Sequence, residues 1–175
     1  MNEKLKTKFS NLKLLALDVD GVLTDGKLFY SENEQEFKVF DVKDGLGLKR
    51  LIDAGINIAI ITSRNSKAVE KRAAELGIRQ IRQGVKNKLK ALIQVCRELK
   101  IEINECAYMG DDLPDLEAMA NAGISLTVAD AAAEIVDLAD WVSSRPGGQG
   151  AVREICEIIL RSLENKKRMH NHWKT

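Results

Sequence analysis

Four short stretches of this chain are apolar almost without interruption: Leu14 to Leu17, Ile56 to Ile61 (INIAII), Cys106 to Met109 and Ile124 to Val128. A strand with one face in water alternates apolar and polar residues, whereas a strand covered on both faces reads as a continuous run. Segments with a helical period separate the runs. Val69, Ala73 and Leu76 share one helix face, in a segment that stops at Gly77. Leu89, Leu92, Ile93, Cys96 and Leu99 share a second face, and Val152, Ile155, Ile159 and Leu163 a last one. Buried strands alternating with amphipathic helices leave few solutions. The pattern predicts an α/β fold, a doubly wound (Rossmann-like) parallel sheet with helices on both faces.

One segment breaks the rhythm. Lys27 to Tyr30 and Glu36 to Phe40 read as two short strands around the polar turn Ser31 to Gln35, a β-hairpin inserted after the first strand. At 175 residues, a single domain over 1–175 is expected, large enough to bury a core without disulfides. The polar end from about residue 164, ENKKRMHNHWKT, is expected to fray. Lys plus Arg is 27 and Asp plus Glu is 26, so the net charge of +1 gives no reason to expect nucleic acid or an anionic membrane as partner. No window approaches the ~18 apolar residues of a membrane span. The basic N-terminal stretch lacks the apolar core of a signal peptide. Three cysteines (Cys96, Cys106 and Cys156) have no ligand spacing and read as reduced, buried thiols, so a cytoplasmic enzyme is expected.

In an open parallel sheet, ligands gather beyond the carboxyl ends of the strands. There the sequence places Asp18-Val19-Asp20-Gly21 after the first run and Thr62-Ser63-Arg64 after the second. Gly84 and Lys88 follow the next apolar stretch, and Gly110-Asp111-Asp112 with Asp115 follows Cys106 to Met109. Each type has a use in phosphoryl transfer. Oxygen ligands such as Asp18, Asp111 and a main-chain carbonyl suit Mg²⁺, a hard cation. Thr62 and Lys88 can hold phosphoryl oxygens. Asp18 is placed to attack as a covalent nucleophile. Asp20, bent back through the Gly21 turn, is placed to protonate the leaving oxygen and then to deprotonate the attacking water.

These residues, in this order, resemble the haloacid dehalogenase (HAD) superfamily of phosphatases. Asp18-Val19-Asp20-Gly21 matches its first motif, Thr62 its second, Lys88 its third, and Gly110-Asp111-Asp112 with Asp115 its fourth. The phrases LDVDGVLTDG, FDVKDGLGLK, NKLKAL, YMGDDLPDLEAM and GGQGAVREIC narrow the resemblance to the capless 3-deoxy-D-manno-octulosonate 8-phosphate (KDO 8-phosphate) phosphatases. The resemblance implies a magnesium-dependent phosphoric monoester hydrolase that serves lipopolysaccharide precursor synthesis on a phosphosugar substrate. Magnesium would be held by Asp18, by the main-chain carbonyl of Asp20 and by Asp111, with Asp112 and Asp115 acting behind them on metal-bound water and on Lys88. Substrate contacts map to Asp20, to Asp41, Val42, Lys43, Asp44 and Gly45, and to Lys49, Arg64, Arg72 and Lys88. Two positions depart from the pattern: Ser63 stands where the family often has Gly, and Lys49 where it often has Arg. A lysine is a point charge rather than a bidentate fork.

Bland alternatives stand beside several of these. Thr62 can cap the helix that follows, and Lys86 and Lys90 compete with Lys88. Lys49 and Arg72 on helices are ordinarily solvent charges. Asp25 is expected in a structural turn. His170 and His172 lie in the polar tail and receive no metal, and Arg82 faces either substrate or water. Two other functions remain open: a phosphatase for a nine-carbon 2-keto acid 9-phosphate, and a phosphate-binding receiver-type signalling domain, which carries its aspartate on the third strand rather than the first. The chain leaves no room for a cap domain of ~50 residues. The site is therefore expected to be roofed by a neighbouring subunit through the hairpin. The resemblance implies a homotetramer in which the Gly-rich segment Pro146 to Gly150, or the tail beyond it, reaches a neighbour's pocket.

Overall fold

The structure is a computed structural model and describes residues 3–32 and 36–172. In chain order its elements are α1 (Glu3–Ser10), β1 (Leu14–Leu17), β2 (Phe29–Tyr30), β3 (Glu36–Phe37), α2 (Val42–Asp53), β4 (Asn57–Ile61), α3 (Lys67–Leu76), β5 (Gln80–Arg82), α4 (Lys88–Leu99), β6 (Cys106–Met109), α5 (Leu116–Asn121), β7 (Ile124–Thr127), α6 (Ala133–Leu138), β8 (Trp141–Val142) and α7 (Ala151–His172). Six strands form one sheet in the order β5-β4-β1-β6-β7-β8, and every neighbouring pair is parallel. The doubly wound sheet is therefore as expected.

β1 lies inside the sheet, with Leu14 opposite Asn57 on one side and Cys106 on the other. The chain moves from β1 outward to β4 and β5, then crosses back past β1 to β6, β7 and β8. This reversal opens a crevice at the carboxyl ends of β1 and its neighbours, where the connecting loops part to opposite faces.

The apolar runs are unbroken because both pleat faces are covered. Leu15, Leu17, Ile58, Ile60 and Met109 pack with α1, α2, α3 and α7. Leu14, Ala16, Ala59, Ile61 and Tyr108 pack with α4, α5 and α6. Gly77 ends α3 in the left-handed region at φ 77°, which costs glycine little. Asn87 starts α4 by accepting the Lys90 amide at 2.7 Å.

Several features were not apparent from the pattern. α1 buries Leu5 and Phe9 in a stretch otherwise polar and basic, and it packs on α7. Beyond Leu163, α7 continues through the polar end to His172. Its Glu, Lys and Arg residues are good helix formers, and Lys166 ties it back to the Ser10 carbonyl at 3.2 Å and Asn11 Oδ1 at 2.7 Å. The side chains of His170 and His172 lie outside the described residues. The hairpin is shorter than expected: Phe29 pairs with Phe37 and Tyr30 with Glu36, and positions 33–35 of its turn lie outside the described residues. Lys27 leaves the ladder because its amide binds Asp25 Oδ1 at 3.1 Å, and Lys38 leaves it to reach Asp20. The three cysteines are free and buried, with Cys96 and Cys106 sulfurs 3.3 Å apart. Among the described residues, no helix is long and apolar enough to cross a membrane.

Candidate active site

Because the strands are parallel, the residues that follow β1, β4, β5 and β6 emerge at one end of the sheet. Asp18 extends β1, its amide bonded to the Met109 carbonyl at 3.0 Å. Thr62 extends β4, its amide on Arg82 O at 2.9 Å. Lys88 opens α4 and Asp111 follows β6.

Lys88 is the hub of the cluster. Its ammonium lies 2.8 Å from Asp18 Oδ2 and 2.7 Å from Asp115 Oδ1, with all three side chains buried. The competitors Lys86 and Lys90 make no such contact, so the structure brings Lys88 to the carboxylates. Asp115 is held from several sides. Tyr108 OH donates to Oδ1 at 2.8 Å, and the amides of Asp111 and Asp112 approach Oδ2 at 3.3 and 3.5 Å. Asp112 is exposed and caps the 3-10 turn at Leu113, accepting its amide at 2.8 Å.

Oxygens of Asp18, Asp111 and Asp115 lie within 4.8 Å of one another. Three carboxylates face one ammonium, so the cluster carries excess negative charge. Burial, then the charge of Asp115, pushes the Asp18 carboxyl up to about 6 against the pull of Lys88. Burial, then Asp18 and Asp115, pushes Asp111 up to about 7. Burial pulls the Lys88 ammonium down, but Asp18 and Asp115 outweigh it and hold the group above its usual range. Asp18 Oδ1 is buried with no hydrogen-bond partner among the described residues. An oxygen-only donor set, surplus negative charge and an orphaned carboxylate oxygen fit Mg²⁺.

The loops around the cluster fit closely. At Gly21, φ is 89° and an added Cβ would stand 1.9 Å from Asp111 Oδ2, so a side chain there is excluded on both counts. A Cβ on Gly147 would stand 1.8 Å from Gly21 O, and the Gly148 amide binds Val22 O at 2.9 Å. The Gly-rich segment therefore packs on the Asp18–Asp25 loop of its own chain. Thr127 Oγ1 donates to the Gly110 carbonyl at 2.7 Å and supports the Asp111 loop from below.

Of the expected substrate contacts, Asp41, Asp44, Gly45 and Arg72 line one small cavity. Arg64 reaches the hairpin, 2.5 Å from Glu36 Oε2 and 3.0 Å from Tyr30 OH, with its Nε 3.8 Å from Asp20 Oδ2. Arg72 packs over Phe40 and its Nη2 lies 3.4 Å from the Asp41 carbonyl, in space that Gly45 leaves by lacking a Cβ. Asp41 caps α2 by accepting the Lys43 amide at 2.6 Å. Asp44 is buried and accepts the Arg153 amide at 2.6 Å, tying α2 to the start of α7. Val42, Lys43 and Lys49 are exposed on α2. Arg82 is half-buried at the end of β5, where Glu98 on α4 holds it at 2.5 Å. Tyr108, Thr127, Glu36 and Lys38 were missed, since the first two read as strand residues and the last two as hairpin arms.

A parallel sheet whose strand ends carry this Asp–Thr–Lys–Asp series defines the class: the family model for haloacid dehalogenase-like hydrolases matches residues 46–123. A 3-deoxy-D-manno-octulosonate 8-phosphate phosphatase KdsC of Salmonella typhi is 46% identical over 154 residues, 88% of this chain and 82% of the relative. The enzyme of that name from Escherichia coli K12 is 45% identical over 153 residues, 87% of this chain and 81% of the relative. Among solved structures, the Moraxella catarrhalis KDO 8-phosphate phosphatase, in complex with magnesium, phosphate and KDO, superposes with a TM-score of 0.92 at 43% identity, covering 99% of both chains. A cobalt-bound Haemophilus influenzae phosphatase of the same kind superposes at 0.87 and 41% identity, covering 90% of this chain and 92% of that one. This chain belongs to the 3-deoxy-D-manno-octulosonate 8-phosphate phosphatase family of HAD-like hydrolases. The comparisons favour neither the nine-carbon sugar acid nor the receiver reading, and Asp18 follows the first strand.

Proposed function

We propose that this chain is a magnesium-dependent phosphatase that cleaves 3-deoxy-D-manno-octulosonate 8-phosphate to KDO and phosphate through a phospho-aspartate on Asp18. The observation that carries the reading is the buried cluster of Asp18, Asp111 and Asp115 around Lys88 at the carboxyl end of a sheet of this family. Asp18 and Asp111, with the Asp20 carbonyl, would hold Mg²⁺, which when bound offsets the charge of carboxylates and phosphate and polarises the phosphoryl group. Lys88 places a fixed positive charge beside the nucleophile, and the Thr62 hydroxyl is a donor for a phosphoryl oxygen. Asp18 attacks phosphorus to form an acyl phosphate. Asp20 hands a proton to the departing sugar oxygen and takes one from the water that cleaves the intermediate. Asp115, locked by Tyr108 and two amides, and Asp112 keep Lys88 and the Asp111 loop in place. For the sugar acid we propose contacts from Asp20, the segment Asp41-Val42-Lys43-Asp44-Gly45, Lys49, Arg64, Arg72 and Lys88.

We infer further that the enzyme works as a homotetramer. Leu28, Phe29, Tyr30, Phe37 and Val39 are 45% to 69% exposed, more apolar surface than a two-stranded hairpin hides by itself. Packing against other copies covers it and roofs a site that has no cap. The function is tested with a panel of sugar phosphates ranked by kcat/KM, with Mg²⁺ and with EDTA. KDO 8-phosphate should lead and EDTA should abolish turnover; a nine-carbon acid 9-phosphate in first place, or turnover in EDTA, overturns the reading. Light scattering at assay concentration tests assembly, and a fully active monomer refutes it.

A further inference from the structure

The side chain of Lys38 is 2% exposed, although Phe29, Tyr30 and Phe37 of the same hairpin are more than half exposed. It forms an ion pair with Asp20 Oδ1 and lies 2.9 Å from Glu36 Oε1. Arg64 closes the ring by meeting Glu36 Oε2 at 2.5 Å and approaching Asp20 Oδ2 at 3.8 Å. Two cations thus alternate with two carboxylates drawn from the Asp18 loop, the hairpin and the loop after β4. An ammonium so buried is tolerated only when it is paired.

The two oxygens of Asp20 are treated differently. Oδ1 is taken by Lys38, whereas Oδ2 is buried without a hydrogen-bond partner among the described residues. A carboxyl pinned at one oxygen loses its rotational freedom, and Oδ2, which Arg64 approaches only at 3.8 Å, beyond hydrogen-bond distance, is the oxygen left to carry a proton to the substrate.

We propose that Lys38 is a positioning residue for the acid–base step, holding Asp20 Oδ1 so that Oδ2 meets the leaving oxygen. Glu36 does the corresponding work for Arg64. This rests on the phosphatase reading and on Asp20 as its acid, and it adds a hairpin residue that touches neither metal nor phosphate. A simple clasp between hairpin and body is the competing explanation, and the leaving group separates the two. A sugar alkoxide needs a proton to depart, while p-nitrophenolate departs as an anion. Because kcat/KM reports only steps up to formation of the phospho-aspartate, the later role of Asp20 as base does not enter.

The experiment measures kcat/KM for K38M, K38R and D20N on KDO 8-phosphate and on p-nitrophenyl phosphate, with Mg²⁺ and with circular dichroism and light scattering as fold and assembly controls. Misplacing a general acid worth ~10²–10⁴ should cost K38M roughly tenfold or more on the sugar phosphate and less than about threefold on p-nitrophenyl phosphate. K38R should recover most of the loss, and D20N should show the same asymmetry more strongly. Should K38M fail to fold with two carboxylates facing each other, E36Q/K38M removes the repulsion while still freeing Asp20, and the same asymmetry is expected of it. Equal losses on both substrates, or no loss, overturn the inference while the wild-type activity leaves the phosphatase reading standing. A wild type inert on both substrates overturns the reading itself.

Discussion

The acidic cluster makes the protein less stable than its fold allows until a cation arrives, and Asp111→Asn exposes this. The ordinary value of the Asp111 carboxyl is 3.8, and in the folded chain it stands at about 7. At about 1.4 kcal/mol per pH unit, ionising it in place costs up to about 4 kcal/mol relative to the unfolded chain. The half-buried side chain keeps some contact with water, so about 2 kcal/mol is the working figure. A folded value raised above the unfolded one means that folding favours the protonated form. Stability from this group is therefore present below pH 3.8 and lost as pH rises through about 7. The substituted amide keeps the shape of the carboxyl and never ionises. In EDTA, Asp111→Asn should match wild type near pH 4 and melt higher at pH 8, by about 4–8 °C at the 2–4 °C per kcal/mol expected of a chain this size.

Magnesium should reverse the order. Wild type then gains binding energy, about 2.7 kcal/mol at a hundredfold excess over Kd, and the variant has lost a ligand. The assay is thermal melting by circular dichroism across pH 4 to 8, with EDTA and with Mg²⁺. A variant no more stable than wild type at pH 8 in EDTA, or a gap that is the same at pH 4 and pH 8, refutes the argument. The sign of the gap carries the test, since Asp18 in the same cluster responds to the loss of its neighbour and the magnitudes do not add.

Other substitutions probe the proposed roles. Asp18→Asn should abolish hydrolysis with the fold intact, because an amide is a poor nucleophile and a poor metal ligand; activity above about one percent of wild type excludes Asp18 as nucleophile. Asp20→Asn should still bind Mg²⁺ and phosphosugar, measured by calorimetry, while turnover falls by ~10²–10⁴, and full turnover with lost metal binding would reverse the assignment. Phe29→Ser with Phe37→Ser should dissociate the assembly and lower activity in step, read by light scattering beside the kinetic assay; a dissociated variant at full activity contradicts the roofing role.

The cluster around Lys88 was legible because two short-range signals coincide. The apolar runs mark where strands end, and Asp18, Thr62 and Asp111 each stand at or just beyond such an end. What escaped are groups whose partners are distant in sequence and whose own positions look ordinary. Tyr108 is one apolar-looking residue in CAYM, yet its hydroxyl supports Asp115. Asp44 reads as a substrate contact from the resemblance. The structure shows it accepting the amide of Arg153, a tie between α2 and α7 that no local pattern announces. α1 was missed for a related reason, since two apolar residues in a basic stretch say nothing until α7 is seen to receive them.

The hairpin carries a signal that was available and is physically odd. In Glu36-Phe37-Lys38-Val39-Phe40, strand alternation puts Glu36 and Lys38 on one face and Phe37 and Val39 on the other. In a lone soluble protein the apolar face turns inward. Here burial is inverted: Lys38 is 2% exposed in its side chain, while Phe37 is 55% and Val39 69% exposed. Turning the charged face inward is favourable only because Asp20 and Arg64 wait there to pair with it, and turning the apolar face outward only if something covers it. Both conditions are met at once if further copies of the chain pack on the aromatic face. Assembly would then press Lys38 onto Asp20, so that the surface joining subunits and the residue aiming the proton would be two faces of one hairpin arm.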